Sequence, residues 1–166
     1  MVPSAGSSSN VSATLPPSRK NGGMRVSAKV DYAIRAAIEL DVAAPEQLKG
    51  ERIATAQAIP QKFLENILVD LRHAGLVASQ RGADGGYRLA REPGQITVAD
   101  VIRAVEGPIA SVRGERPDEI RYEGVAAPLR DVWIELRQAM RGVLEQTTLA
   151  DLVERGRAGG MGPAPT

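Results

Sequence analysis

Residues 59–91 read IPQKFLENILVDLRHAGLVASQRGADGGYRLAR, and the order of features in this stretch decides the fold. Leu64, Ile67, Leu68 and Leu71 recur at the i, i+3, i+4, i+7 spacing of one buried helix face, which leaves Gln61, Lys62, Glu65 and Asn66 on the outside. Pro60 suits the first turn of that helix, where a missing N–H costs nothing, and Gly75 suits the left-handed position just past its end. Beyond Gly75, two short strand-like runs, 76–81 and 86–91, flank a tip of Gly82, Ala83, Asp84 and Gly85. The run Asp84-Gly85-Gly86 predicts a tight hairpin built on positive φ angles.

Ahead of this stretch, Val30, Ala33, Ile34, Ala37 and Ile38 predict an amphipathic helix from Ser27 to about Leu40, with Ser27 as its cap. A polar connection over 44–50 leads to a short helix near 51–57, with Ile53 and Ala54 facing inward. The Pro60 helix follows after a turn. A helix, a short helix, a turn, a second polar-faced helix and then a hairpin carrying Arg81, Arg88 and Arg91 is the order of a winged helix-turn-helix. The expected fold is therefore mainly α with a small β-hairpin.

C-terminal to the hairpin, Thr97 and Asp100 mark the start of a fourth helix whose stripe is Val98, Val101, Ile102 and Val105, stopped by Gly107-Pro108. Residues 109–127 hold Gly, Pro and scattered charge without a period, and predict a surface loop. From about Pro128 to Glu154, the residues Leu129, Val132, Trp133, Leu136, Met140, Val143, Leu144 and Thr147 recur at steps of three and four. That spacing predicts one helix of about 26 residues, roughly 40 Å long, which a small domain cannot cover and a partner helix can. The expected organisation is a disordered tail over 1–23, a DNA-binding domain over 24–107, a loop over 108–127, a dimerisation helix over 128–155 and a flexible tail over 156–166. Met24 opens the patterned sequence and is an alternative start.

Composition removes several function classes. With 166 residues, 43% apolar and 25% charged, the chain can bury one modest core. No apolar run approaches the roughly 18 residues of a membrane span, and no secretory signal opens the chain; a cytoplasmic protein without a membrane partner is expected. The absence of cysteine removes disulfides, thiol nucleophiles and thiolate metal sites together. No Ser/His/Asp, Cys/His or phosphate-cradling motif is present, so an enzyme is not expected. The formal net charge is only +1, and residues 24–107 hold 11 Lys+Arg against 11 Asp+Glu. Within 61–91, five basic residues face three acidic ones, so any attraction to phosphate must be local.

Taken in order, these elements resemble the Rrf2 family of bacterial transcription regulators. The resemblance rests on Tyr32-Ala33, Ile53-Ala54, Ile59-Pro60, His73-Ala74-Gly75-Leu76-Val77, the wing from Ser79 to Ala90, and the segment from Ile96-Thr97 to Glu106-Gly107. It implies a homodimer held by C-terminal helices, with two recognition helices reading a partly palindromic double-stranded DNA operator. Known members regulate iron–sulfur biogenesis, nitric oxide responses and cysteine metabolism, and many hold an iron–sulfur cluster on three cysteines in the loop before the dimer helix. This chain departs there: 109–127 has no cysteine, and Ala126-Ala127-Pro128-Leu129 stands where the last family cysteine usually precedes Pro-Leu. Asp31 matches a first-helix position that supplies an oxygen ligand in a nitric-oxide-sensing branch, but a lone carboxylate cannot hold a cluster. No cofactor is therefore expected. Ala58 stands where the family commonly has glycine, so the turn is either slightly strained or does not need positive φ.

The residues expected to contact DNA are Gln61, Lys62, Glu65 and Asn66 on the recognition helix and Arg81, Gly82, Gly85, Gly86 and Tyr87 on the wing, with Ser27, Tyr32 and Arg35 as phosphate contacts. Lys and Gln side chains can address guanine or adenine edges, and a guanidinium at a hairpin tip suits a narrow minor groove. Each has a plainer reading. The helix face is also what any solvated helix presents, Arg81 is also a strand-end charge, and Tyr32 serves equally as a packing residue. His73, the one histidine, fits a helix C-terminus rather than a metal. Trp133 is a core residue or lines an effector pocket between the dimer helices and the DNA-binding domain. The leading function is a dimeric, sequence-specific transcription regulator, expected to act as a repressor, answering to a small-molecule or protein effector. The rival is a winged-helix protein-interaction module that reports metabolic status through a partner enzyme, with weak DNA binding.

Overall fold

The computed structural model describes residues 26–159. The expectations on residues 1–23, on Met24 and on 160–166 lie outside them. Six helices and one hairpin follow in the order α1 (Ala28–Ala43), α2 (Gly50–Gln57), α3 (Gln61–His73), β1 (Val77–Gln80), β2 (Gly86–Leu89), α4 (Val98–Glu106), α5 (Leu129–Leu144) and α6 (Leu149–Gly159). The winged helix-turn-helix is present: α1, α3, α4 and α6 surround one apolar core, and the hairpin extends from the end of α3.

Local chemistry sets each boundary. Ser27 Oγ accepts the Val30 N–H at 3.1 Å and starts α1. Thr97 and Asp100 form a reciprocal capping box at the start of α4. Pro60 sits one position earlier than expected, as the N-cap of α3, where its carbonyl accepts from Phe63 and Leu64. At the other end Gly75 has φ +71, and the Leu76 N–H returns to the Leu71 carbonyl at 3.0 Å. Of the α1 stripe, Val30, Ala33 and Ala37 are fully buried, while Ile34 and Ile38 pack half-buried at its margin. In the turn, Ala58 adopts φ 50, ψ 44, so a left-handed residue is needed there and alanine supplies it at a cost.

Four expectations need correction. The positive φ of the wing tip belongs to Gly82, at +107, not to Gly85 or Gly86. Those two are glycines because backbone crowds them: a Cβ would lie 2.7 Å from the Arg81 carbonyl carbon at Gly85 and 2.7 Å from the Leu48 oxygen at Gly86. The segment 109–127 is not only surface, since Ile109, Pro117 and Ile120 are buried. The single helix expected over 128–154 is two helices. Thr148 and Asp151 form a second capping box, and the segment between α5 and α6 pairs with the start of α4, Val98 N–H to Thr147 O at 2.9 Å and Leu149 N–H to Ile96 O at 3.0 Å. The chain therefore turns, and α6 packs Leu149 and Val153 back on the domain. Finally, 156–159 belongs to α6 rather than to a frayed tail.

Candidate nucleic-acid interface

The candidate surface starts from the burial of α3. With Leu64, Ile67, Leu68 and Leu71 inside, Gln61, Lys62, Glu65 and Asn66 are all brought to one exposed face near the helix N-terminus. Lys62 Nζ lies 3.5 Å from the Glu65 carboxylate, and its side chain is 89% exposed. A pair this open contributes little to stability and is free to exchange partners. Phe63, absent from the expected set, is 41% exposed on the same turn. Its ring meets Tyr32 edge-on, with centroids 5.7 Å apart at 84°.

Tyr32 and Arg35 are held by α1 against this patch. The Arg35 guanidinium lies 5.4 Å over the Tyr32 ring, donates to Asp31 at 3.0 Å and to Gln57 Oε1 at 2.9 Å, and also reaches the Gln57 carbonyl. Arg35 thus fastens the end of α2 to α1, and Asp31 is committed to it. Ser27 accepts the Val30 N–H and keeps its own hydroxyl proton to donate. Lys29 and Asp70 tie α1 to α3 at 2.7 Å.

The wing is a hairpin in the register Val77↔Leu89, Ala78↔Arg88, Ser79↔Tyr87, Gln80↔Gly86. Its root is fixed by the connection ahead of α2: Leu48 and Tyr87 pair backbone to backbone, Gln47 donates to Gln80 Oε1 at 2.9 Å, and Lys49 Nζ donates to the Gly82 carbonyl at 2.9 Å. Arg81 and Gly82 are exposed at the tip; Gly85 and Gly86 are buried and Tyr87 is half-buried, so these three shape the wing rather than its outer surface. Lys49, Arg72 and Arg81 converge on a notch of ≈ 250 Å³ with Ser79, Gln80 and Tyr87 and no carboxylate. Lys49 and Arg72 escape sequence reasoning because only the fold brings the connection ahead of α2 beside the last turn of α3; the one local hint, for Arg72, is the small positive balance of 61–91.

Two other residues of interest fall elsewhere. His73 is exposed in the last turn of α3. Trp133, on α5, donates to the Tyr122 hydroxyl at 3.1 Å and lines a small cavity of ≈ 230 Å³ with Val112, Pro117 and Leu136. No helix among the described residues is long and apolar enough to cross a membrane.

A family model described as "Rrf2: Iron-dependent Transcriptional regulator" matches residues 26–155. A candidate HTH-type transcriptional regulator of Mycobacterium tuberculosis is 49% identical over 130 residues, covering 78% of this chain and 81% of that one. The HTH-type transcriptional regulator CymR of Bacillus subtilis is 40% identical over 132 residues, covering 78% and 89%. Among solved structures, CymR, described as the global cysteine regulator of B. subtilis, aligns with a TM-score of 0.68 at 37% identity over 80% of this chain and 98% of that one. T. potens IscR aligns with a TM-score of 0.70 at 32% identity over 86% and 95%. These relatives are transcription regulators rather than enzymes.

The donor set does not fit an iron–sulfur cluster. The chain has no cysteine, its one histidine lies on α3, and Asp118 of the loop before α5 is held by Arg137 at 2.9 Å. Among the described residues no three His, Cys, Asp or Glu side chains are grouped to hold a metal ion.

Proposed function

The chain belongs to the Rrf2 family of DNA-binding transcription regulators, and from that premise we propose that it is a cytoplasmic homodimeric repressor that reads a partly palindromic operator without an iron–sulfur cluster. The observation that carries this reading is the uncovered polar face of α3, Gln61, Lys62, Glu65 and Asn66, beside a wing whose tip presents Arg81. In this reading α3 enters the major groove, where Lys62 and Glu65 address base edges, and the wing lays Arg81 and Gly82 along the flanking minor groove. Gly85, Gly86 and Tyr87 hold the wing at that height. Ser27 donates to a phosphate, and Tyr32 and Arg35 support Phe63 and the backbone contacts around it.

Residues 24–107 serve as the DNA-binding domain in this scheme, and the dimer contact expected over 128–155 narrows to α5. That helix has an apolar seam and no buried residue of its own, and a second α5 is its natural cover. An effector acting on the loop over 108–127 or on α5 would change the spacing of the two recognition helices.

The reading is tested by titrating the purified chain against a duplex carrying the region upstream of its own gene, at several salt concentrations. Affinity that is specific for that duplex and falls linearly on a log–log salt plot supports it. Weak, sequence-independent binding transfers the function to protein partners instead.

A further inference from the structure

Four arginines from three segments converge behind the DNA-binding face. Arg103 lies in the last turn of α4, Arg116 in the loop, and Arg137 and Arg141 one turn apart on α5. Together they line a cleft of ≈ 450 Å³ whose remaining wall is Gly107, Pro108 and Ile109. Three carboxylates answer them, two of them closely. Asp118 is shared by Arg116 at 3.2 Å and Arg137 at 2.9 Å, and Glu145 is shared by Arg141 at 2.9 Å and by Arg103. Asp100 approaches Arg103 only at 3.8 Å and is engaged in the α4 capping box. Glu106 lines a different cleft.

Four guanidiniums against three carboxylates leave one positive charge unanswered in one concave, partly apolar site. Like charges held together, such as Arg137 and Arg141 four residues apart on one helix, repel unless something neutralises them. Arg137 is the most enclosed, its side chain 20% exposed. Each guanidinium carries five donors in a planar fork that fits carboxylate or phosphate oxygens two at a time, and a single shared carboxylate cannot satisfy two such forks. The volume is within the range of small-ligand sites, roughly 300–1,000 Å³.

We propose that this cleft is an effector site for a small organic anion bearing two or more negative charges on carboxylate or phosphate oxygens. The ligand would draw Arg103 away from Glu145, the ion pair that joins the end of α4 to the end of α5, and so re-set the winged domain on α5. The regulatory consequence rests on the reading of the chain as a DNA-binding regulator; the binding itself does not.

The test uses the full chain, with citrate and inorganic phosphate as probes at ionic strength held constant with sodium chloride. Fluorescence of Trp133, the single tryptophan and one turn before Arg137 on α5, reports binding, and a thermal shift provides a second readout. The expected result is a saturable response to at least one probe that weakens tenfold or more in Arg137→Gln and in Arg116→Lys, while the wing variant Arg88→Gln responds as the unmodified chain does. Arg116→Lys keeps the charge on an exposed loop, so its folding is secure even where Arg137→Gln is not. A response equal to that of sodium chloride alone, no saturable response to either probe, or one unchanged in both cleft variants overturns the proposal. DNA affinity measured in parallel separates the two readings: lost operator binding with intact saturation sinks the regulator reading alone, and the converse sinks the cleft alone.

Discussion

Leu48 and Tyr87 exchange both of their backbone hydrogen bonds, at 2.9 and 2.8 Å, and that pair hangs the wing from the connection ahead of α2. The pairing needs the backbone of Gly86 to pass close to Leu48, where a Cβ would sit 2.7 Å from the carbonyl oxygen. Gly86→Ala should therefore lower stability by about 2–3 kcal/mol and displace the wing. Chemical denaturation gives the first number, and amide exchange at Tyr87 the second. Unchanged protection of the Tyr87 amide in the variant would mean that the wing is held by something else.

Ala58 turns the corner between α2 and α3 with φ 50. A left-handed alanine costs roughly 1–2 kcal/mol more than a right-handed one, part of which glycine recovers at the expense of a more flexible unfolded chain. Ala58→Gly should stabilise the protein by about 1 kcal/mol, a rise in melting temperature of about 2–4 °C for a chain of this size. A fall in melting temperature would show that the turn is not strained.

Why some of this was legible in the sequence and some was not follows from the range of the forces involved. The recognition helix and the wing follow from periodicity and from Pro and Gly punctuation, which are local. The break between α5 and α6 does not, because Thr147 continues the apolar seam of Leu136, Met140 and Val143 and the turn is held by pairing with Ile96 and Val98, some fifty residues earlier. A local signal was nevertheless there: Thr148 and Asp151 repeat the Thr97–Asp100 capping spacing that marks α4. Gly86 looks like a turn glycine until Leu48 arrives beside it, and Gly85 until the hairpin folds Gln80 and Arg81 against it. Ile109, Pro117 and Ile120 carry no period because they are buried singly from irregular chain rather than along one helix or strand face. The polar face of α3 was readable as a face, whereas Lys49 and Arg72 joined the candidate site only through the fold.

Asp41 carries a pH signature. Burial raises its carboxyl pKa, against a smaller opposing pull from Arg157, and its Oδ2 is buried without a hydrogen-bond partner among the described residues. An acid whose pKa is higher in the folded state holds its proton more tightly there. The stability it contributes is thus present below the ordinary Asp value of about 3.9 and lost as the pH rises through the raised folded value. Asp41→Asn should raise the melting temperature at neutral pH and change it little near pH 3. Equal shifts at both ends of the pH range would show that the side chain acts through shape rather than charge.

On α5, Val132 and Val143 are 51% and 66% exposed along the same seam as Leu129, Trp133, Leu136 and Met140. An uncovered seam of this kind marks an interaction surface, and in the proposed function its cover is a second copy of α5. Val132→Glu combined with Val143→Glu should convert a dimer to a folded monomer and cost the cooperative part of operator binding. Light scattering at micromolar concentration decides it; a monomeric unmodified chain would contradict the dimer.

In the proposed function α3 and the wing read DNA in different ways, and a paired titration of Lys62→Ala and Arg81→Ala distinguishes them, against operators that differ only in a half-site base or only in the flank, at one fixed salt concentration. Lys62→Ala should flatten the preference at particular half-site positions by about 1–3 kcal/mol and leave the flank preference as it was. Arg81→Ala should keep the half-site preference and lose affinity most on A·T-rich flanks, where a narrow groove attracts the guanidinium. If both variants bind every operator as the unmodified chain does, the polar face of α3 and the wing tip are not the reading surface.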